Sequence, residues 1–260
     1  MKSSVPKVMH ELAGRTLVGH AVAAGSALQP DHLVVVVGHG REQVAEHLAA
    51  TAPGAAIAVQ DRQLGTGHAV ACALDTMPQL EGVVVVTYGD VPLLAPDTLT
   101  DLVARHVDDG NAVTVLTAEV EDPTGYGRIV RDADGGVRGI VEHKDATPYV
   151  LDIREINSGI YAFDAAVLSN CLSRLSTDNA QGELYLTDVL GMARTDGRRV
   201  GAHATNDSWQ TEGVNDRVQL AALHRELKRR VLERWMRAGV TVIDPATTWV
   251  DVTVKLGRDV

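Results

Sequence analysis

Val83-Val84-Val85-Val86-Thr87-Tyr88-Gly89-Asp90 is the stretch on which the fold turns. Four consecutive valines, apolar at both parities of a two-residue period, predict a strand buried on both faces. Gly89 then allows a tight exit, and a carboxylate stands just past the strand's carboxyl end. In open α/β sheets ligands gather beyond those ends, and magnesium takes one or two carboxylate-type oxygens together with substrate phosphates. Asp90 fits that demand; an aspartate capping the turn before Pro92 is the plainer alternative.

Working outward, helical and strand patterns alternate. We read helices over 15–28, 41–49, 66–77 and 96–107, and strands over 33–37, 56–59, 83–87 and 112–118. This alternation predicts an α/β fold with a doubly wound, mostly parallel nucleotide-binding sheet. At Gly125 the pattern changes: strands 127–131 and 137–142 flank Asp132-Ala133-Asp134-Gly135-Gly136, an inserted β-hairpin ribbon expected to carry substrate contacts. A strand over 156–163 and a helix over 183–194 follow. A long helix over 218–237 carries the stripe Leu220, Leu223, Leu227, Val231. Beyond Gly239 short β segments no longer alternate with helices, so a second domain is expected to begin there.

The chain has 260 residues, 45% hydrophobic and 22% charged, enough apolar material for a full core. Its apolar runs are short for a bilayer and the N-terminus lacks a signal pattern, so a cytoplasmic protein with no membrane partner is expected. A net charge of −10 disfavours nucleic acid. Cys72 and Cys171 lack paired spacing and read as buried, inert thiols. The ten histidines show no zinc spacing. Gly38-His39-Gly40 follows a strand as a dinucleotide fingerprint would, but Gln43 replaces the third glycine, and no phosphate-loop lysine motif occurs.

Several polar residues stand where chemistry is possible. Gln60 through His68 leave a strand and open a helix, with Gly65-Thr66-Gly67 offering free N–H groups to an anion or a base edge. The Gln60 amide both donates and accepts, as pyrimidine selection requires. Lys7, after Pro6, is a point charge for phosphate or a solvated surface lysine. Glu142 and Asn157 lie near strand ends and suit sugar hydroxyls. Asn215 either holds a ligand or caps the long helix.

Taken in order, Pro6-Lys7-Val8, Gln60-x-x-x-Leu64-Gly65-Thr66-Gly67-His68-Ala69, Tyr88-Gly89-Asp90-Val91-Pro92-Leu93, Gly125-Tyr126-Gly127-Arg128-Ile129-Val130, Ile140-Val141-Glu142-His143-Lys144-Asp145-Ala146, Glu155-Ile156-Asn157-Ser158-Gly159, Glu183-Leu184-Tyr185-Leu186-Thr187-Asp188 and Gly213-Val214-Asn215 resemble one family across nearly the whole chain. It is the bacterial bifunctional N-acetylglucosamine-1-phosphate uridyltransferase/glucosamine-1-phosphate acetyltransferase. The resemblance implies formation of UDP-N-acetylglucosamine and pyrophosphate from UTP and N-acetylglucosamine 1-phosphate, a supply for peptidoglycan and lipopolysaccharide. It implies that Asp90 and Asn215 hold Mg2+, that Gln60, Gly65 and Thr66 read uracil, and that Lys7 contacts phosphate. Tyr88 and Gly89 would line the nucleotide path, and Gly127, Glu142 and Asn157 would hold the N-acetyl sugar.

The family pattern begins with a strand and the loop Leu-Ala-Ala-Gly-x-Gly-Thr-Arg-Met, whereas this chain starts at Met1-Lys2-Ser3. A miscalled start and a true fragment both account for that, and unpaired ladder groups beside the central strands are expected. The implied division is a nucleotidyltransferase domain over 1–214, a linking helix over 215–239, and the start of a left-handed β-helix over 240–260. Acetyl transfer is therefore not expected of this chain, and the homotrimer of full-length members is in doubt for it. The alternatives are another sugar-1-phosphate nucleotidyltransferase and a noncatalytic nucleotide-sugar-binding fragment.

Overall fold

The structure, a computed structural model, describes residues 1–260. A short antiparallel ribbon, β1 (Glu11–Leu12) and β2 (Arg15–Thr16), runs into α1 (Leu17–Ser26), where the Thr16 hydroxyl accepts from Gly19 N as N-cap. Then come β3 (Val34–Val37), α2 (Arg41–Thr51), β4 (Ala56–Val59), α3 (Thr66–Leu74), β5 (Val83–Val86), α4 (Pro96–Asp108) and β6 (Val113–Glu119). The hairpin β7 (Arg128–Arg131) and β8 (Val137–Val141) follows, then α5 (Pro148–Leu151), β9 (Glu155–Asp164), α6 (Ala165–Leu172), α7 (Asp188–Thr195), β10 (Val200–Thr205) and α8 (Arg217–Arg237). No helix is long and apolar enough to cross a membrane.

The main sheet has six strands in the order β10-β6-β9-β7-β8, with β5 also hydrogen-bonded to β9. The expectation of a mostly parallel sheet is corrected here. Only β10–β6 is parallel; β9 runs antiparallel to β6, β5 and β7, and β7–β8 is an antiparallel hairpin. The cause is the inserted ribbon. The chain leaves the carboxyl end of β6 at Glu119, makes the hairpin, and re-enters the sheet at the same end, with Glu155 opposite Glu119. The returning strand must therefore run against β5 and β6, whose own directions agree.

Helices cover both faces of this sheet. Val113, Val115, Tyr161 and Phe163 point to one face and meet Val70 of α3, Leu168 and Cys171 of α6, and Val189 and Leu190 of α7. Their neighbours in the two-residue period, Leu116, Ile160 and Ala162, point to the other face and meet Ala24 of α1 and Leu99 and Leu102 of α4. The parallel pair β3–β4 is a separate sheet. β5 pairs with β9 alone and β3 with β4 alone, so one edge of each valine strand has no ladder partner. α1 spans the interval, with Val18 and Val22 against Val37 on one side and Ala24 in the core beside Val85 on the other.

Two further expectations are corrected. The helix read over 183–194 begins only at Asp188, because residues 184–186 are hydrogen-bonded to the glycine loop before α3. Residues 240–260 contain no strand, so no β-helix is seen. A coil of stacked repeats completes its ladder only against neighbouring coils, and none is present. That segment docks on the domain instead: Val252 N donates to Ala13 O, and the Lys228 ammonium lies over the Trp249 ring at 4.2 Å and donates to Ala246 O. α8 is packed too, with Leu223 buried among Leu12, Leu17, Leu93 and Val214.

Candidate active site

Beyond β5, the Asp90 carbonyl accepts from Val214 N at 3.0 Å, which draws Gly213-Val214-Asn215 against the strand exit. Lys7, at the start of a 3-10 turn, reaches both: its Nζ is 2.5 Å from Asp90 Oδ2 and 3.2 Å from Asn215 Oδ1. Asp90 Oδ2 and Asn215 Oδ1 thus converge on one positive charge. The capping alternative for Asn215 does not hold, because Asp216 caps α8 by accepting from Val218 N and Gln219 N. Two hard oxygens around one cationic point fit magnesium, which needs few protein ligands when phosphates and water supply the rest. No cluster of three or more acidic, His or Cys side chains is present, so the set fits a zinc-type cage poorly.

A second group forms where the ribbon meets β9. Gly127 O accepts from Asn157 N at 2.9 Å, and a Cβ on Gly127 would lie 3.4 Å from Asn157 Cβ and 3.5 Å from Glu142 Oε1. Gly127, Glu142 and Asn157 therefore border one space. Asn157 Oδ1 accepts from Gly159 N at 2.9 Å and from the Tyr161 hydroxyl at 2.8 Å. Both bonds fix the amide, leaving the Nδ2 hydrogens outward as donors. Burial pushes the Tyr161 phenol well above its ordinary range, so it stays a donor. Burial also raises the Glu142 carboxyl; the Thr187 hydroxyl pulls it back, and Asp145, Asp188 and Glu183 add to the rise.

β9 bulges here: its register against β6 shifts between Val115 and Thr117, and Gly159 sits at φ +76°. A side chain at Gly159 would collide with the Tyr88 ring, so the glycine lets Tyr88 lie along the strand between the Gly127–Glu142–Asn157 group and Asp90. Gly89 passes close to Val8 and Val18. Tyr126, unassigned in the sequence reading, donates its hydroxyl to Glu212 at 3.2 Å and links the ribbon to the loop that carries Asn215. Its position between Gly125 and Gly127 was the available signal.

Gln60, Gly65 and Thr66 form a third group. Gly65 holds φ +106°, and a Cβ there would lie 2.6 Å from Leu184 O. Leu184 N donates to Leu64 O at 2.7 Å, Gly67 N to Leu184 O at 2.8 Å, and Leu186 N to Thr66 Oγ1 at 3.1 Å. Gln60 Nε2 donates to Gly65 O at 3.0 Å. Residues 184–186 thus staple the glycine loop, and the Tyr185 hydroxyl donates to Asp145, three residues beyond Glu142, at 3.3 Å. The segment 183–188 joins the second and third groups, a role that its motif alone did not disclose.

A family model described as nucleotidyl transferase matches residues 2–252. The chain belongs to the nucleotidyl transferase family. This nucleotidyltransferase is 59% identical over 263 residues to a protein named Bifunctional protein GlmU of Paenarthrobacter aurescens, covering 100% of this chain and 53% of that one. Like-named proteins of Thermobifida fusca and Streptomyces coelicolor are also 59% identical, over 263 and 262 residues, each with 100% of this chain and 54% of the relative covered. The chain spans about half the length of the curated relatives it matches. Among solved structures, a UDP-glucose pyrophosphorylase complexed with UDP-glucose superposes with a TM-score of 0.68 at 16% identity, over 88% of this nucleotidyltransferase and 91% of that chain. That likeness establishes the α/β nucleotidyltransferase fold.

Proposed function

We propose that this nucleotidyltransferase transfers a uridylyl group from UTP to N-acetylglucosamine 1-phosphate, releasing pyrophosphate and forming UDP-N-acetylglucosamine, a precursor of cell-wall polymers made in the cytoplasm. The convergence of Lys7, Asp90 and Asn215 beside the Gly127–Glu142–Asn157 space carries the reading. The identity with the relatives named GlmU supports the choice of substrates. Asp90 and Asn215 would hold magnesium, whose charge when bound offsets that of the phosphate oxygens.

The remaining work falls to the chain itself. An oxygen of the sugar phosphate forms the new bond to the α-phosphorus of UTP while the bond to pyrophosphate breaks. The attacking phosphate is already an anion, so no protein nucleophile or base is required, and catalysis is positioning plus charge neutralisation. Lys7 supplies a mobile point charge between two anionic reactants. The outward Asn157 amide donates to the sugar and Glu142 accepts from it. Gln60, Gly65 and Thr66 hold the base.

The test is pyrophosphate release by residues 1–260 with UTP, magnesium and each sugar phosphate, alongside calorimetry with UDP-N-acetylglucosamine. Turnover fastest with N-acetylglucosamine 1-phosphate is expected. Preference for glucose 1-phosphate or another nucleotide overturns the substrate assignment, and binding without pyrophosphate release makes the chain a nucleotide-sugar binder.

A further inference from the structure

Gln60 leaves β4 with its backbone N donating to Val37 O, so its side chain projects from a fixed strand end over the glycine loop. The side-chain nitrogen has two neighbours: Gly65 O at 3.0 Å and His68 Nδ1 at 3.1 Å. A carbonyl oxygen only accepts, so the amide nitrogen, not its oxygen, must face Gly65. Its second hydrogen then goes to His68 Nδ1, which must be the unprotonated ring nitrogen. The ring proton consequently resides on Nε2, which lies 3.6 Å from Cys72 Sγ, one helical turn further along α3. Both amide hydrogens are spent within the protein, and Gln60 Oε1 accepts no hydrogen bond from any protein group.

The groups left over have a defined polarity. Gln60 Oε1 is a bare acceptor, and the N–H groups of Gly65 and Thr66, at the half-buried start of α3, donate to nothing in the protein. Uracil presents a carbonyl acceptor beside an N3–H donor. Cytosine presents the reverse along that edge, an amino donor beside a lone pair on N3. If Gln60 could rotate its amide, it would serve uracil N3–H and the cytosine N3 lone pair equally, and the side chain's share of the selection would vanish, leaving only that of the two backbone donors. Gly65 O alone does not forbid the rotation energetically, since one lost hydrogen bond is a modest cost; two bonds to one nitrogen raise it.

We propose that His68 is a positioning residue for base selection: by accepting the second Gln60 hydrogen it holds Oε1 outward and makes the site prefer uridine over cytidine nucleotides. This rests on the uridylyl reading above and adds to it the residue that enforces it. His68 touches no substrate. Cys72 completes the arrangement as the weak acceptor for Nε2–H, which gives that half-buried thiol a use that its sequence context did not suggest.

The test is calorimetry with UDP and with CDP on the 260-residue chain and two variants. His68→Leu removes the acceptor, and the UDP-over-CDP affinity ratio is expected to fall about tenfold, the scale of one hydrogen bond. His68→Asn offers Oδ1 near the position of Nδ1 and is expected to keep the ratio within about threefold of the original. A folded His68→Leu chain with the original ratio overturns the role. Wild-type protein that binds neither nucleotide overturns the uridine reading, and this role with it. Histidine 15N shifts of the wild-type chain test the idea without any variant, with His68→Asn used only to assign the signal: protonated Nε2 with bare Nδ1 is expected, and the opposite tautomer refutes it.

Discussion

Lys7 Nζ lies 2.5 Å from Asp90 Oδ2, and Asn215 Oδ1 is 3.2 Å from the same ammonium, so one lysine occupies the point on which both proposed metal-binding oxygens converge. Two cations would not share that point, so Asp90 and Asn215 could hold a metal ion only with the Lys7 ammonium moved off it. Lys7→Ala is therefore expected to bind Mn2+ alone about two- to fivefold more tightly, the range of a competing partly exposed ion pair, while losing turnover. Titration followed by electron paramagnetic resonance checks it; unchanged or weaker Mn2+ binding contradicts the shared position.

Asp90 is the one carboxylate at that point. Asp90→Ala is expected to slow uridylyl transfer by roughly three powers of ten or more, about 4 kcal/mol of barrier. Pyrophosphate release under saturating substrates reads this, and near-normal turnover in magnesium buffer would remove Asp90 from the mechanism.

Glu142 is held above its ordinary carboxylate value of 4.5, first by burial. A raised acid favours the protonated native form, so its contribution to stability is present at low pH and is lost as pH rises through the raised value. Glu142→Gln avoids that loss. Its melting temperature should exceed that of the parent by about 2 °C at pH 8 and converge with it below the ordinary value, while N-acetylglucosamine 1-phosphate turnover collapses. Scanning calorimetry at the two pH values, paired with the activity assay, decides it.

Arg230 joins α8 to the turn after β10, with Nη1 and Nη2 on Asp207 at 2.7 and 2.8 Å and Nε on Glu226 at 2.6 Å. Hydrogen bonds from Arg229 and Arg230 hold Glu226 down at about 2, against the opposing effect of burial. A depressed carboxylate stabilises the fold above its ordinary value, and that contribution fades as pH falls through the depressed one. Arg230→Ala should cost about 1–3 kcal/mol in urea unfolding at pH 7, with the deficit shrinking toward pH 2.

The strands with continuous valine runs, β3 and β5, were legible from sequence because apolar residues at both parities leave no polar face, although the expected burial on both faces is not met: Val83 is exposed, and of the eight valines only Val37 is fully buried. The direction of β9 was not. Glu155–Asp164 is buried along nearly its whole length, and burial says nothing about which way a strand runs; only the hairpin before it fixes that. β10 escaped notice because Gly201, Ala202, His203 and Ala204 have little β propensity and lie at a sheet edge, the first three half-buried and Ala204 exposed. α6 was hidden by following β9 without a loop, its start marked only by the Asp164 cap. Of the candidate residues, those beside strand ends could be guessed from position. The partners that orient them, Tyr161 on Asn157 and His68 on Gln60, depend on distances across the fold that no local spacing encodes.

The reversed strand has a consequence for how the molecule is made. Val86 pairs with Tyr161, and β6 meets β5 only through that same strand, so on a ribosome the first half of the sheet emerges without the element that joins it. Such distant pairings form late and leave strand edges open to wrong partners meanwhile. Asp90 hangs from the end of β5, and Asn215 arrives later still. The proposed catalytic corner is thus assembled only once Asn215 has emerged, after its framework has waited with an open seam, and a holding chaperone would find its target in the valine strands during that interval.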